Sequence, residues 1–348
     1  MAILMIGPDY NKTLGGMSTV LSNYYNNKNM IPEEIINITT TSDGNKVKKI
    51  LQFIISYIKI CFYIIFQRNI RILHIHTASR GSFIRKSKIV RIGKKFDKKV
   101  ILHLHGAKFK EYYENECDIK KQLYIKDTFE MCDSIIVLGE EWKEWLKKYV
   151  DNEITVLHNS VIVPSTNYYS NDSNNIVMLG RLEERKGTYD LLEVINDIVK
   201  KYENIKFVLA GDGDLERLDK KIKQLEIPQN NIEVLGWIDS NKRHELLKDC
   251  LIYVLPSYNE GMPMSVLEAM SYGIPCISTN VGSIPSVIEN NNNGIIINPG
   301  DKIALRESLL NLLDDKKLRK EYSNLSYKKI KKEFCIQNHI RNLLKIYE

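Results

Sequence analysis

The residues best suited to chemistry lie between 256 and 276, where two glutamates and a glycine surround the predicted start of a helix. One apolar run precedes this stretch and another follows it, and each is long enough for one buried strand. Pro263 suits the first turn of the intervening helix, because a proline there sacrifices no helical hydrogen bond. The free N–H groups at this end would then face Glu260 and Gly261, an arrangement that favours a phosphate ligand.

Glu268 lies on the predicted helix itself, about one and a half turns from its start. Ser265 shares its face, because residues three apart are neighbours on a helix surface. Glu260 and Glu268 could therefore contact opposite ends of one ligand, with phosphate groups held between them. The alternative is an ordinary strand–loop–helix unit with two solvated carboxylates, since two glutamates eight positions apart carry little information alone.

Two cations form a second candidate cluster. Arg181 and Lys186 follow an apolar, strand-like run and precede a helical pattern. Together they could neutralise a diphosphate, which arginine can bind through two parallel hydrogen bonds. Stabilising a departing charged group in this way is commonly the largest single contribution to catalysis.

The first half of the chain offers a glycine pair and a histidine. Gly15 and Gly16 follow an apolar run and precede a helix that starts near Ser18, so the backbone there could approach a ligand closely. Their spacing is not that of the dinucleotide-binding fingerprint. His105 directly follows another predicted strand and could supply a hydrogen bond or partial positive charge, although a structural role is the alternative.

Composition limits the class of protein. The 348 residues are sufficient for two domains, and 43% hydrophobic with 27% charged residues is typical of a globular protein. Six scattered cysteines lack metal-binding spacing and predict reduced thiols in a cytoplasmic protein without a secretory leader. Asp212 and Asp214 are interpreted as the start of a helix. Neither a metal site nor a nucleic-acid partner is predicted.

The positive charge is concentrated in the first half. The net charge is +7, and residues 1–165 alone hold 25 Lys and Arg against 17 Asp and Glu. Much of it falls in Arg80–Lys99, where isoleucines recur at helical spacing. This pattern predicts a basic amphipathic helix that docks on an anionic membrane or on a phosphate-bearing acceptor. A solvated face on a core helix is the alternative.

Residues 50–66 are the most apolar stretch. A membrane-spanning helix is one alternative, because about 20 apolar residues cross a bilayer. The run is short, however, Lys59 lies in its middle and a predicted strand follows at once. We therefore expect a buried helix packed on a parallel sheet.

Three short motifs together resemble a known family. Glu260-Gly261-x-Pro263, Leu267-Glu268-Ala269-Met270 and Gly273-x-Pro275 are similar to the signature of retaining glycosyltransferases of the GT-B fold, in particular family 4. The resemblance implies two Rossmann-like parallel α/β domains that face a cleft. We expect an acceptor-side domain at 1–165, a nucleotide-sugar domain at 166–334 and a last helix at 335–348 that returns to the first domain.

The resemblance also implies roles for individual residues. Glu260 would lie against the transferred sugar, Glu268 would accept hydrogen bonds from the ribose, and Arg181 with Lys186 would bind the diphosphate. His105 would contribute to the environment of the sugar and phosphate. The remaining implied donor contacts are Gly15, Gly16, Gly261, Met262, Met264 and Ser265.

The implied reaction is metal-independent transfer of a sugar from a UDP-sugar or GDP-sugar to an acceptor hydroxyl, with retention at the anomeric carbon. Basic charge and analogy favour a lipid-diphosphate-linked saccharide as acceptor, in the synthesis of a surface polysaccharide such as capsule, O-antigen or exopolysaccharide. The enzyme would be cytoplasmic, with peripheral attachment to the inner face of the cell membrane. The alternatives are a sugar-nucleotide epimerase of the same fold and a non-catalytic partner of another glycosyltransferase.

Overall fold

A computed structural model describes residues 1–13, 15–41 and 44–348. The chain divides into two units, one formed by Met1–Ser160 with Ile336–Glu348 and the other by Val161–Cys335. The first change of unit follows Ser160, five positions before the expected boundary at 165/166. A six-stranded parallel sheet lies at the centre of each unit. Strands and helices alternate along both, as expected of doubly wound α/β structures.

The first unit has the strand order β2-β1-β3-β4-β5-β6. The strands are β1 (Ala2–Pro8), β2 (Glu34–Thr41), β3 (Ile70–Thr77), β4 (Lys99–Leu104), β5 (Ser134–Val137) and β6 (Ile154–Val156). The helices are α1 (Gly16–Asn26), α2 (Lys46–Phe66), α3 (Gly81–Lys95), α4 (Phe109–Asn115), α5 (Ile119–Glu130) and α6 (Glu140–Leu146). The central strands are buried on both faces, which explains their unbroken apolar runs.

The second unit has the strand order β12-β11-β10-β7-β8-β9. The strands are β7 (Asn175–Leu179), β8 (Lys206–Ala210), β9 (Ile232–Gly236), β10 (Ile252–Leu255), β11 (Cys276–Thr279) and β12 (Gly294–Ile297). The helices are α7 (Thr188–Lys201), α8 (Leu215–Gln224), α9 (Ser240–Lys248), α10 (Met264–Ser271), α11 (Ile284–Val287), α12 (Lys302–Asp314) and α13 (Lys316–Glu333). This order brings the carboxyl ends of β10, β7 and β8 together, at the edge where ligands of such sheets bind.

The last helix, α14 (Ile336–Tyr347), packs within the first unit. Tyr24 Oη lies 2.6 Å from His339 Nε2, and Tyr347 Oη lies 2.7 Å from His74 Nδ1. Lys99 Nζ also donates to the carbonyl oxygen of Tyr347 over 3.2 Å. These contacts attach the end of the chain to β3, β4 and α1.

Helix α2 departs from the sequence prediction. Its inner face is buried as expected through Phe53, Ser56, Ile60 and Ile64. Its outer face leaves large apolar side chains in solvent, so the expectation of a buried helix is wrong for that face. Among the described residues, α2 is the one helix long and apolar enough to cross a membrane. Its mean hydropathy is 1.8 over Val47–Phe66, and 22% of the residues in its most apolar part are buried.

Candidate active site

An ion pair between Lys186 and Glu260 lies where β7 and β10 end. Lys186 Nζ is 2.5 Å from Glu260 Oε1, and the two side chains are 14% and 7% exposed. Ser257 Oγ donates to the same carboxylate oxygen over 2.7 Å. Lysine carries three N–H donors, so the bond to Glu260 leaves two for other acceptors. The structure thus joins two of the residues that the sequence singled out and adds Ser257.

Close backbone contacts fix the loops that carry this pair. Gly187 has φ +69°, and a Cβ atom there would lie 2.0 Å from the carbonyl oxygen of Pro256. Gly282 has φ +54°, and a Cβ atom there would lie 2.1 Å from the carbonyl oxygen of Glu260. Ser283 N donates to the carbonyl oxygen of Gly261 over 2.7 Å. Because side chains are excluded at both glycines, the loops after β7, β10 and β11 can pack tightly against one another.

Helix α10 begins at Met264, just after these loops. Pro263 is extended and precedes the helix, so it lies one position earlier than predicted. Met262 and Met264 are 4% and 7% exposed, and Gly261 is also buried. The two methionine side chains therefore belong to the core, and only their backbone groups are suited to a phosphate. Ser265 remains partly exposed.

Glu268 lies on the partly exposed face of α10. Its Oε2 is 3.5 Å from Nε of Arg243, a residue of α9 that sequence reasoning missed. Burial raises the pKa of Glu268, and the positive charge of Arg243 opposes that rise. A carboxylate supported in this way can accept hydrogen bonds from two neighbouring hydroxyl groups. Trp237, which follows β9, is 50% exposed and offers an aromatic surface in the same unit.

Arg181 is far more exposed than Lys186. Its side chain is 60% exposed and its Nε lies 3.4 Å from Glu183 Oε2. A cavity of about 360 Å³ beside it is also lined by Arg185, Tyr189 and Arg217. The structure therefore places the two residues predicted to bind phosphate on one loop. Only Lys186 is held in a fixed, buried position by its contacts.

A second cationic cavity lies in the first unit, next to the glycine pair. It has a volume of about 280 Å³ and its lining includes Gly15, Gly16, Ser18, Thr41, His76, Ser82, Arg85 and Lys86. Lys86 Nζ contacts Thr40 Oγ1, and burial together with Arg85 lowers the pKa of Lys86 to about 7. Within the described part of the chain, Arg85 Nε is buried without a hydrogen-bond partner. Unsatisfied cationic donors at a cavity favour an anionic ligand.

Most of the basic segment Arg80–Lys99 is engaged within the protein. Arg80 pairs with Glu116, Arg91 lies 2.6 Å from Asp127, and Lys94 lies 2.7 Å from Asp133. The predicted amphipathic helix is present as α3. Lys86 could have been recognised from its spacing, since it falls three residues after buried Phe83 and three before buried Ile89. The segment thus carries at least one of its positive charges, that of Lys86, on a buried side chain.

Histidines fill the carboxyl ends of β3 and β4. His76 Nδ1 lies 2.9 Å from His105 Nε2, and His74 Nε2 lies 3.2 Å from His103 Nδ1. Burial, with a contribution from His339, lowers the pKa of His105 to about 3. His105 is therefore neutral near pH 7. Of the two roles that the sequence allowed, it can supply a hydrogen bond but not a positive charge.

Three of these histidines have the spacing of metal ligands. The ligand nitrogens of His74, His76 and His103 all lie within 4.8 Å of one another. Both nitrogens of His74 are already engaged, one with Tyr347 and one with His103. A metal would have to displace one of these bonds of His74, whereas His76 Nε2 and His103 Nε2 are buried without a hydrogen-bond partner among the described residues. Metal independence remains a prediction.

Known proteins resemble this chain in both sequence and fold. Residues 167–329 match the family described as glycosyl transferases group 1. The chain is 28% identical over 250 residues to an uncharacterized glycosyltransferase of Methanocaldococcus jannaschii, covering 71% of this chain and 68% of that protein. It is 28% identical over 220 residues to a Campylobacter jejuni protein, covering 61% of this chain and 60% of that one. That protein is GalNAc-alpha-(1->4)-GalNAc-alpha-(1->3)-diNAcBac-PP-undecaprenol alpha-1,4-N-acetyl-D-galactosaminyltransferase.

Solved structures of similar fold cover the whole chain. Sucrose-phosphate synthase of Thermosynechococcus elongatus has a TM-score of 0.84 at 14% identity, covering 100% of this chain and 98% of its own. Anabaena HepE in complex with UDP has a TM-score of 0.77 at 12% identity, covering 100% and 99%. The predicted GT-B class, with two Rossmann-like parallel α/β units, is confirmed. Residues 167–329 are thus similar to the glycosyl transferases of group 1, and the relatives identify the chain as an enzyme of the glycosyltransferase class.

The buried histidines predict a stability that depends on pH. Burial lowers the pKa of His74 to about 3 and that of His339 to about 4, from an ordinary 6.5, and lowers the pKa of His76 and His103 well below 6.5. Their stabilising contribution is full above pH 6.5 and is lost as the pH falls towards 3, because the unfolded chain binds protons first. Between these two pH values, each such histidine lowers the free energy of unfolding by about 1.4 kcal/mol per pH unit.

Urea unfolding between pH 6.5 and 5.5, above the range where carboxylates titrate, should therefore show a steep loss of unfolding free energy. His74→Asn should reduce this slope, whereas Asn311→Ala, which changes an exposed residue of the second unit without a titratable group, should leave it unchanged. A free energy of unfolding that stays constant over this interval would contradict the assignment of neutral, buried imidazoles.

Proposed function

We propose that this glycosyltransferase moves a sugar from a nucleoside diphosphate sugar to a hydroxyl of a lipid-diphosphate-linked saccharide, with retention at the anomeric carbon. The observation that carries the proposal is the nearly buried Lys186–Glu260 pair at the carboxyl ends of β7 and β10. A fixed ammonium group with two N–H donors to spare suits a diphosphate. HepE, which shares the fold, was solved with UDP, a ligand of this chemical class.

The donor would be held by residues of the second unit. Lys186 neutralises the diphosphate, and Arg181 closes over it from its exposed position. Glu268, supported by Arg243, accepts hydrogen bonds from the two ribose hydroxyls. Glu260 and Gly261 position the sugar, while the backbone N–H groups at Met264 and Ser265 add partial positive charge next to the phosphates.

The chemical step we propose proceeds on one face of the sugar. The bond between the anomeric carbon and the phosphate oxygen breaks, and the acceptor oxygen bonds to the same face. The acceptor proton passes to the departing phosphate oxygen, so no side chain need act as nucleophile. Lys186 contributes by stabilising the negative charge that develops on the leaving diphosphate. The proposal includes no metal ion.

The acceptor would use the cationic cavity of the first unit. Arg85 and Lys86 line it beside Gly15 and Gly16, and Arg85 Nε has no partner among the described residues. A diphosphate would supply acceptor oxygens to both cations. The Campylobacter relative bears the name of an enzyme whose acceptor saccharide is linked through PP to undecaprenol, which supports this class of acceptor. We infer that the enzyme works at the cytoplasmic face of a membrane, where such a lipid would be presented.

Thermal unfolding with UDP, GDP, ADP and CMP, in the presence of EDTA, tests the donor site. One nucleoside diphosphate should raise the unfolding midpoint of the wild type by mass action. Glu268→Ala should abolish most of that rise, because the ribose hydroxyls lose their acceptor. Glu307→Ala, which removes an exposed carboxylate of α12, should retain it. An equal rise in both variants would contradict the role of Glu268.

Farnesyl diphosphate, added while UDP saturates the donor site, tests the acceptor cavity. Arg85→Gln should weaken its binding about 10-fold or more, the effect of losing one hydrogen bond to a charged group. Lys88→Gln changes an exposed cation of the same helix and should have no effect. Calorimetric affinities that are equal for the wild type and Arg85→Gln would exclude this cavity as the acceptor phosphate site.

A further inference from the structure

Helix α2 carries an outer face made of large apolar side chains. Between 44% and 68% of each is exposed, and its members are Val47, Ile50, Leu51, Ile54, Ile55, Ile58, Phe62, Ile65 and Phe66. They recur three and four positions apart, which places them on one continuous stripe of the helix. At 21 residues the helix is about 30 Å long. Soluble monomeric proteins rarely expose so extended an apolar surface without a partner.

The opposite face anchors α2 to the sheet of the first unit. Phe53, Ile60 and Ile64 enter the hydrophobic core. Ser56 Oγ donates to the carbonyl oxygen of Thr39 over 2.5 Å, and Gln52 Nε2 donates to the same oxygen over 3.1 Å. The exposed stripe is therefore held on a fixed helix.

The charged residues of the segment that contains α2 have one sign. The sequence contains no aspartate or glutamate between Asp43 and Asp97. Lys48, Lys59 and Arg68 are exposed on or next to α2. A long apolar stripe with lysine and arginine beside it is the pattern of a helix that lies in the interface of an anionic bilayer. A second copy of the chain would place like charges against one another without a carboxylate from this segment to pair them.

We propose that the outer face of α2 docks the enzyme onto an anionic phospholipid bilayer, with the helix lying in the plane of the interface. The connections of α2 argue against a spanning helix. It joins β2 to β3, and both strands pair with β1 in the same parallel sheet. If α2 crossed the bilayer, its inner face would lose its contacts with that sheet. The proposal concerns lipid binding alone and does not depend on the donor or acceptor assignments.

Co-sedimentation with phosphatidylglycerol vesicles and with phosphatidylcholine vesicles tests the proposal. The wild type should bind the anionic vesicles more strongly. The double variant Ile54→Glu/Ile58→Glu should bind them at least about 10-fold more weakly, because it places two carboxylates on the docking face. Ile303→Glu changes a side chain of the second unit that is 66% exposed, and it should bind as the wild type does. Lys59→Glu should weaken binding to the anionic vesicles selectively.

Both altered isoleucines are solvent-exposed, so thermal unfolding should show midpoints close to that of the wild type, and nucleotide binding should be retained. Equal vesicle binding by the wild type and the double variant would overturn the proposal. The proposal would also be overturned if the double substitution altered only the monomer–dimer equilibrium, because the face would then be a contact between copies of the chain. Alkaline carbonate should release the enzyme from cell membranes, and its retention there would indicate a spanning helix and overturn the interfacial orientation.

Discussion

The second unit depends on an ion pair that is nearly removed from solvent. A buried ammonium group and a buried carboxylate each lose several kcal/mol of hydration, and only precise pairing with further hydrogen bonds offsets that loss. Lys186 and Glu260 meet this condition through each other and through Ser257. The pair can form only if the loops after β7 and β10 keep a fixed separation, which is why glycines are required at 187 and 282.

The first unit buries a lysine in a different way. Lys86 contacts the hydroxyl group of Thr40 instead of a carboxylate, and Arg85 lies beside it. Without a carboxylate partner, burial lowers the pKa of Lys86 to about 7, so the side chain is only partly charged near neutral pH. An arriving phosphate would favour the charged form and bind it in return. One lysine is thus stabilised by its own chain, and the other is poised to be stabilised by a ligand.

Local sequence patterns predicted the fold class and much of the second unit. Apolar runs marked the buried strands, and the glycine, proline and glutamate spacing marked the loop before α10. The sequence predicted less well which residues of α2 and α3 are buried, because that depends on which side of each helix the sheet covers. Lys59 and the neighbouring strand suggested that α2 is buried, yet only its inner stripe is. Arg243 and Ser257 approach the two glutamates through tertiary packing, and no local motif marks them.

The protonation states of the histidines were equally hard to predict from the sequence. His105 follows a strand at a position that suits either a charged or a neutral role. Only the surrounding burial, together with His76 and His339, identifies it as neutral. Sequence therefore predicts which residues stand at the edge of a sheet, whereas their charge state depends on neighbours contributed by distant parts of the chain.

The most direct test of the central claim is the calorimetric affinity of the wild type, Lys186→Gln and Lys201→Gln for the nucleoside diphosphate that binds. If Lys186 holds the diphosphate, Lys186→Gln should bind about 10-fold to 100-fold more weakly, the loss expected for a charge-assisted hydrogen bond. Lys201→Gln, which removes an exposed cation at the end of α7, should bind as the wild type does. Equal affinities for all three proteins would contradict the account, because Lys186 would then serve only to pair with Glu260.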